Sequence, residues 1–319
     1  MTIRQLLQES VHDVEWLKRS LQVAIEVELA TIPPYLCAMW SIVDLDHDVR
    51  YDIRPIVLQE MLHMGLACNM LTTLGGTPNL NSPCAVPTYP GPLPGDVRPQ
   101  LLVWLAGFSR AMVRAVFMEI EQPEHEPVAR FLGQSYPTIG AFYSAIGAAF
   151  ANVDPSCITG ARQRTNAGLN LVAIRSAADA AAAIKTIKEQ GEGTSEDPFP
   201  SGMPSTRAHY YRFAELYHGQ RLIEVDGRWQ YAGPEVPLPE AYPMVEVPPG
   251  GYPESRSFDA LYTSVLDDLQ AAWQHDDQAA FDRSVNTMQL RLEEPARELM
   301  RRPLPSGVGN YGPSFQIVR

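Results

Sequence analysis

Glu60 and His63 stand three residues apart inside VLQEMLHMGLACNMLTTL, a stretch that is otherwise largely apolar. At helical spacing that places a carboxylate and an imidazole side by side, among Ile56, Met64 and Ala67 on one face. A charged group on a core-facing surface is costly unless it is paired or holds a metal ion. A lone Glu-x-x-His can equally be a structural pair with an arginine or a backbone group. The metal reading therefore depends on whether neighbouring helices also turn acids inward.

The helix upstream does so. From roughly Val11 to Leu29, Leu17, Leu21, Ala24, Glu28 and Ile32 recur at three- and four-residue steps. Glu15, Arg19, Gln22 and Glu26 fall on another face, so Glu26 reads as solvated and Glu28 as part of the apolar stripe. Pro33-Pro34 is expected to end or bend this helix. The Glu60 helix is expected to start near Asp52, with Pro55 near its first turn, and to stop at Gly75-Gly76 and Pro78. Asn79 to Pro99 is rich in Pro, Gly and Asn but holds Val86, Tyr89 and Leu93, which marks an ordered loop over the core.

Further helices are expected over Leu101–Glu121, Thr138–Asn152, Ala177–Glu192 and Thr206–His218, with GEGTSEDPFPSGMPS as a loop between the last two. Leu222 to Tyr231 alternates around Asp226-Gly227, the pattern of a small hairpin. A Pro/Gly-dense wrap follows over Ala232–Tyr252. Helices over Phe258–Gln274 and Gln278–Arg301 close the chain, the last kinked or divided by Pro295. The expected organisation is all-α: a bundle over 1–220, with hairpin, wrap and C-terminal helices over 221–319 packed on it as one compact unit.

The remaining acids and histidines leave alternatives. Glu119 follows Leu105, Phe108, Met112 and Ala115, whereas Glu121 follows Val113 and Phe117, and periodicity slightly favours Glu119. Glu189 and Glu192 compete on the alanine-rich helix. His209 competes with a literal Glu215-x-x-His218. Tyr35, Tyr89, Tyr143, Tyr210 and Tyr211 are candidates to line a pocket, although core or rim positions are the ordinary fate of such residues.

Composition narrows the partners. A formal net charge of −12 and the lack of a Lys/Arg cluster argue against nucleic acid and anionic membrane. The charged, amphipathic start MTIRQLLQESVHDVEW has no apolar secretory core, and no run of about 18 apolar residues spans a bilayer. Cys37, Cys68, Cys84 and Cys157 are scattered, without C-x-x-C spacing, which fits a reducing cytoplasm; Cys37 and Cys68 read as buried thiols. The composition leaves a homo-oligomer open.

The segments AIEVELATIPPYL, LQEMLHMGLACNMLTTLGGTP, FMEIEQPE, TIGAFYSAI, IKEQGEG and HYYRFAEL, in that order, resemble a bacterial ferritin-like family. Its best-known members are the imine-dimer synthases of violacein- and rebeccamycin-type pigment pathways, and the likeness extends through SRSFDALYTSVLDDLQ and GPSFQ. The resemblance implies a ferritin-like four-helix bundle around a non-haem metal site, elaborated here by Pro-rich loops and extra C-terminal helices. It implies Glu28, Glu60, His63, Glu121, Glu192 and His209 as ligands; FMEIEQPE moves the choice to Glu121, and HYYRF favours His209 over Glu215 and His218. Such a mixed oxygen and nitrogen set suits iron, one or two ions, or manganese, with open positions for dioxygen or peroxide. The implied activity is an oxidase or oxygenase of specialised metabolism acting on a small molecule, with an aromatic amino-acid-derived imine the leading class. Iron storage or ferroxidase activity and a non-catalytic scaffold are the competing expectations.

Overall fold

The computed structural model of the protein describes residues 1–123, 138–194, 197–201 and 206–319. A short helix, α1 (Ile3–Leu7), precedes the two longest, α2 (Val14–Ser41) and α3 (Asp48–Thr73). Asp13 caps α2 by accepting from Trp16 N, and a short turn over 42–47 brings α3 back along it. The pairing of α2 with α3 is the most extensive between elements and forms the spine of the bundle.

Of the two expected outcomes, an end or a bend, Pro33-Pro34 does not produce the first, and α2 continues to Ser41. Pro34 lacks the N–H that would reach the Ala30 carbonyl, and the Tyr89 hydroxyl donates to that oxygen instead, at 2.8 Å. The loop over 79–99 thus repairs the helix it covers. The far end of α2 is secured by guanidinium groups: Arg50 donates to the Met39 carbonyl, and buried Arg297 donates to those of Trp40, Ile42 and Val43. Beyond Ser20 the helix is buried almost all round, and Glu26 is half-buried beside Gln22 rather than solvated. By length and composition α2 is apolar enough to cross a membrane, yet 94% of its most apolar window lies buried inside the protein. Helix α3 starts one turn earlier than expected, with His47 as its cap and Pro55 inside it.

The helix expected over 101–121 is the largest departure. Gly91–Pro92 (β1) and Leu102–Val103 (β2) pair antiparallel, and residues 104–108 stay non-helical. Their backbone bonds go elsewhere: Phe108 N donates to Ser41 Oγ, Gly107 N to Met244 O, and Leu105 O accepts from Val247 N. A helix over the same residues would forfeit all three. Helix α4 begins only at Ser109, its N-cap, and runs through Arg110–Met112, a π-helical turn over Val113–Phe117, and Met118–Ile120.

Helices α5 (Ile139–Phe150), α6 (Ala177–Glu192) and α7 (His209–His218) follow, with Thr138 and Ser176 capping the first two. The loop expected over 191–205 lies partly outside the described residues. Helix α5 packs on α6 and α7 on α4, and all four close around the α2–α3 pair. Strands β3 (Gln220–Val225) and β4 (Arg228–Glu235) form the expected hairpin, with Asp226 and Gly227 both at positive φ in its two-residue turn. Helices α8 (Arg256–Gln274), α9 (Gln278–Leu290) and α10 (Glu293–Met300) complete the chain. Pro295 divides the last two from within the first turn of α10, where its missing N–H costs nothing. The result is the expected helical bundle with extra elements, its core continuous through the C-terminal helices.

Candidate metal centre

Five of the six expected ligands converge. Glu28 comes from α2, Glu60 and His63 from α3, Glu121 from the residue after α4, and His209 from the first turn of α7; all five are buried. Their ligand atoms form two groups, Glu28–Glu60–His63 and Glu60–Glu121–His209, each within 4.8 Å. Glu60 belongs to both. Its Oε1 lies 3.8 Å from His63 Nδ1 and 2.8 Å from His209 Nδ1. His63 Nδ1 is also 3.8 Å from Glu28 Oε2, and His209 Nδ1 is 3.5 Å from Glu121 Oε2. An ion held about 2.1 Å from each of two ligand atoms separates them by roughly 3–4 Å, so most of these gaps are of ion size.

Each of these side chains is oriented from behind. Tyr143 donates to Glu28 Oε1 and Tyr35 to Glu121 Oε1, both at 2.6 Å, and the Thr31 hydroxyl lies 2.8 Å from Glu60 Oε2. The opposite oxygen of each carboxylate faces the centre. The histidines are held in the same way: His63 Nε2 meets Gln190 Oε1 at 2.8 Å, and His209 Nε2 meets Gln59 Oε1 at 2.9 Å. With Nε2–H given to an amide oxygen, Nδ1 carries the lone pair and points among carboxylates. Neutral His209 then has a buried Nδ1 with no hydrogen-bond partner. An acceptor surrounded by acceptors requires a cation, either a proton or a metal.

The protonation states follow from that crowding. Burial alone would lower the His209 pKa, but the Glu121 and Glu60 carboxylates outweigh it and hold the imidazolium at about 9. Burial opposes ionisation of Glu60 too, but His209 wins and keeps it at about 2. Burial, only partly offset by Glu60, takes His63 down to about 4. Glu28 and Glu121 are pushed up, by burial first and then by the Glu60 charge. Metal-free, the centre holds the buried Glu60–His209 pair, with the Glu121 carboxylate close to the same imidazole. A divalent ion would displace those protons and use the same atoms.

Glu192 lines the same cleft as four of these residues but belongs to neither group of three. Its carboxylate occupies the space a side chain at residue 140 would fill: a Cβ on Gly140 would sit 1.7 Å from Glu192 Oε1. The cleft has Ile120, Ile139 and Ile187 as apolar walls and holds about 30 Å³ of internal space, room for one or two water-sized molecules. The competing candidates have other partners. Glu119 pairs with Arg98 at 2.5 Å and with Arg114. Glu189 accepts from Ser201 N and Oγ. Buried Glu215 meets Arg207, Arg221 and Leu222 N, which ties the hairpin to α7. His218 is exposed and stacks on Tyr231.

Of the five tyrosines, Tyr35 and Tyr143 touch the centre, Tyr89 supports α2, and Tyr211 packs with Ala208 and Leu222 beneath the hairpin, with Tyr210 at its edge. Sequence reasoning missed Thr31, Gln59 and Gln190. Thr31 lies one turn beyond Glu28 and Gln59 adjoins Glu60, so proximity was their only signal.

A sequence profile described as ferritin-like matches residues 21–218, more than half of the chain. A crystal structure of a ferritin-like protein from Caulobacter vibrioides superposes with a TM-score of 0.65 at 21% identity, covering 95% of this chain and 97% of that one. At that identity the likeness is one of fold. No curated protein matches.

Proposed function

The chain belongs to the ferritin-like family, and from that premise we propose that it is a non-haem iron oxidoreductase using dioxygen or peroxide on a small organic molecule. The observation that carries the reading is the pair of Glu–Glu–His groups sharing Glu60. Glu28, Glu60 and His63 would hold one ion, and Glu60, Glu121 and His209 the other, with Glu192 a further ligand from the rim. Iron, with manganese the alternative, would supply the redox chemistry when bound in this oxygen and nitrogen set.

The chain's own contribution is orientation. Tyr35, Tyr143 and Thr31 fix the carboxylates, and Gln59 and Gln190 fix the imidazole tautomers. The cleft opens beside these residues and is where a small molecule would approach them. The resemblance to the pigment-pathway enzymes makes an aromatic amino-acid-derived imine the first class to try, and four free cysteines fit a cytoplasmic setting.

The test is anaerobic reconstitution with ferrous iron followed by elemental analysis, beside the Glu60→Ala, His63→Ala double variant. Bound iron that the variant loses, together with substrate-dependent oxygen uptake, is the expected result. No iron in the reconstituted parent refutes the reading. Iron that is bound and oxidised with no substrate dependence makes the protein an iron-handling one.

A further inference from the structure

The two buried tyrosines at the centre occupy corresponding places. Tyr35 is 0% exposed and donates to Glu121 Oε1; Tyr143 is 1% exposed and donates to Glu28 Oε1. Each therefore engages one oxygen of a carboxylate that belongs to only one of the two groups of three, while Glu60, common to both, meets Thr31 instead. A carboxylate can hold a metal through one oxygen or both. A phenol donating at 2.6 Å competes for the second.

The Tyr35 donor is held in place by its neighbours. The Tyr35 ring is wedged against Phe117 and Phe213, with centroids 4.8 and 4.9 Å away, so its hydroxyl cannot follow a carboxylate that rotates. Phe117 ends the π-helical turn of α4, four residues before Glu121, so the ring that fixes Tyr35 and the acid Tyr35 grips come from one turn of chain. The arrangement is also crossed. Helix α2 carries Glu28 for one group and, two turns on, Tyr35 for the other. Burial pushes both phenols well above their usual range, which keeps them protonated donors.

We propose that Tyr35 and Tyr143 are positioning residues that restrict Glu121 and Glu28 to ligation through one oxygen, one tyrosine per ion, and so keep a coordination position open on each. The proposal rests on the two-ion reading above. It predicts an effect that a merely structural hydroxyl would not have: deleting one tyrosine hydroxyl changes one ion and spares the other.

The experiment titrates Co²⁺ into the parent, Tyr35→Phe and Tyr143→Phe, reading visible d–d absorbance, with circular dichroism to verify the fold. The parent is expected to take two ions. In each variant one binding step weakens about tenfold and that ion's band loses intensity as a second carboxylate oxygen raises its coordination number. The affected step differs between the variants. Parent-like affinities and spectra in both variants overturn the proposal, as does equal loss of both ions in each. A parent that binds no Co²⁺ overturns the metal reading itself, which distinguishes the two failures. Should a variant fold poorly, the parent labelled with 3-fluorotyrosine and titrated with Zn²⁺ gives an independent reading. Two of its 13 tyrosine fluorine resonances should shift, one with each equivalent; resonances that do not respond to the metal overturn the proposal.

Discussion

Raising the pH of the metal-free protein should weaken it, and one residue supplies a separable part of the loss. Folded His209 is held at about 9 against an ordinary value of 6.5, because Glu121 and Glu60 outweigh the burial that opposes its charge. Between those two values the folded chain keeps a proton that the unfolded chain has lost, so stability falls as pH rises. The contribution is complete below about pH 6.5 and gone above about pH 9. At about 1.4 kcal/mol per unit, the window is worth roughly 3 kcal/mol. Glu28 and Glu121, also raised, push in the same direction from about pH 4.5 upward, so His209 must be isolated by substitution. The assay is urea unfolding of chelator-treated protein from about pH 6 to about pH 9.5, followed by tryptophan fluorescence, with His209→Gln alongside. The parent should lose roughly 3 kcal/mol more than the variant across the window, and loading with Co²⁺ should remove the step, because the ion takes the position of the proton. Equal stability of the metal-free parent at both ends, or the same step in His209→Gln, would refute the electrostatic account of the centre.

Other consequences test single contacts. Glu60→Gln should lose both ions, whereas Glu28→Gln and Glu121→Gln should each retain one, as read by elemental analysis after anaerobic reconstitution. Tyr89→Phe leaves the Ala30 carbonyl without its hydroxyl donor and should cost about 1–2 kcal/mol in urea unfolding with no change in metal content. Glu215→Gln removes the charge that meets Arg207 and Arg221 at a buried position. It should cost roughly 2 kcal/mol, discounted because both arginines are about a quarter exposed, and should again spare metal content.

Much of this architecture could be read from residues alone, for reasons that separate local from long-range information. The Ala177–Glu192 helix has the bounds expected of it because Ser176, the alanines and Gly193 are all local signals. The Asp226-Gly227 hairpin is local in the same way. Glu28 was legible because a charge in line with Leu17, Leu21 and Ala24 is anomalous by itself. Helix α2 ran past Pro33-Pro34 because the group that repairs it, Tyr89, lies 59 residues from Ala30. No property of the prolines encodes that hydroxyl. Gln59 and Gln190 were invisible for a similar reason: a glutamine beside a ligand gains meaning only when another helix presents an imidazole to it.

Glu121 shows most directly where periodicity stops being informative. Counting from Leu105 and Phe108 favours Glu119, but those residues are not helical; Leu105 and Gly107 pair through their backbone with Val247 and Met244 of the wrap, and Phe108 N donates to Ser41 Oγ. Counting from Ser109 instead meets the π-helical turn over Val113–Phe117, where an i→i+5 bond admits an extra residue and shifts every later side chain around the axis. The shift turns Glu119 toward Arg98 and Arg114 and brings Glu121 to Tyr35 and His209. Two residues apart, the acids point to opposite sides of any helical turn, and the extra residue of the π-helical turn sets which of them faces the centre. Bonds that open an i→i+5 turn are weaker than those of a regular helix, and this turn is held by what packs on it: Phe117 against Tyr35 and Phe213. The ring cluster that fixes the hydroxyl over Glu121 therefore also holds the backbone geometry that delivers Glu121, and a change to any of the three rings should disturb Glu121 and His209 before Glu28 and His63.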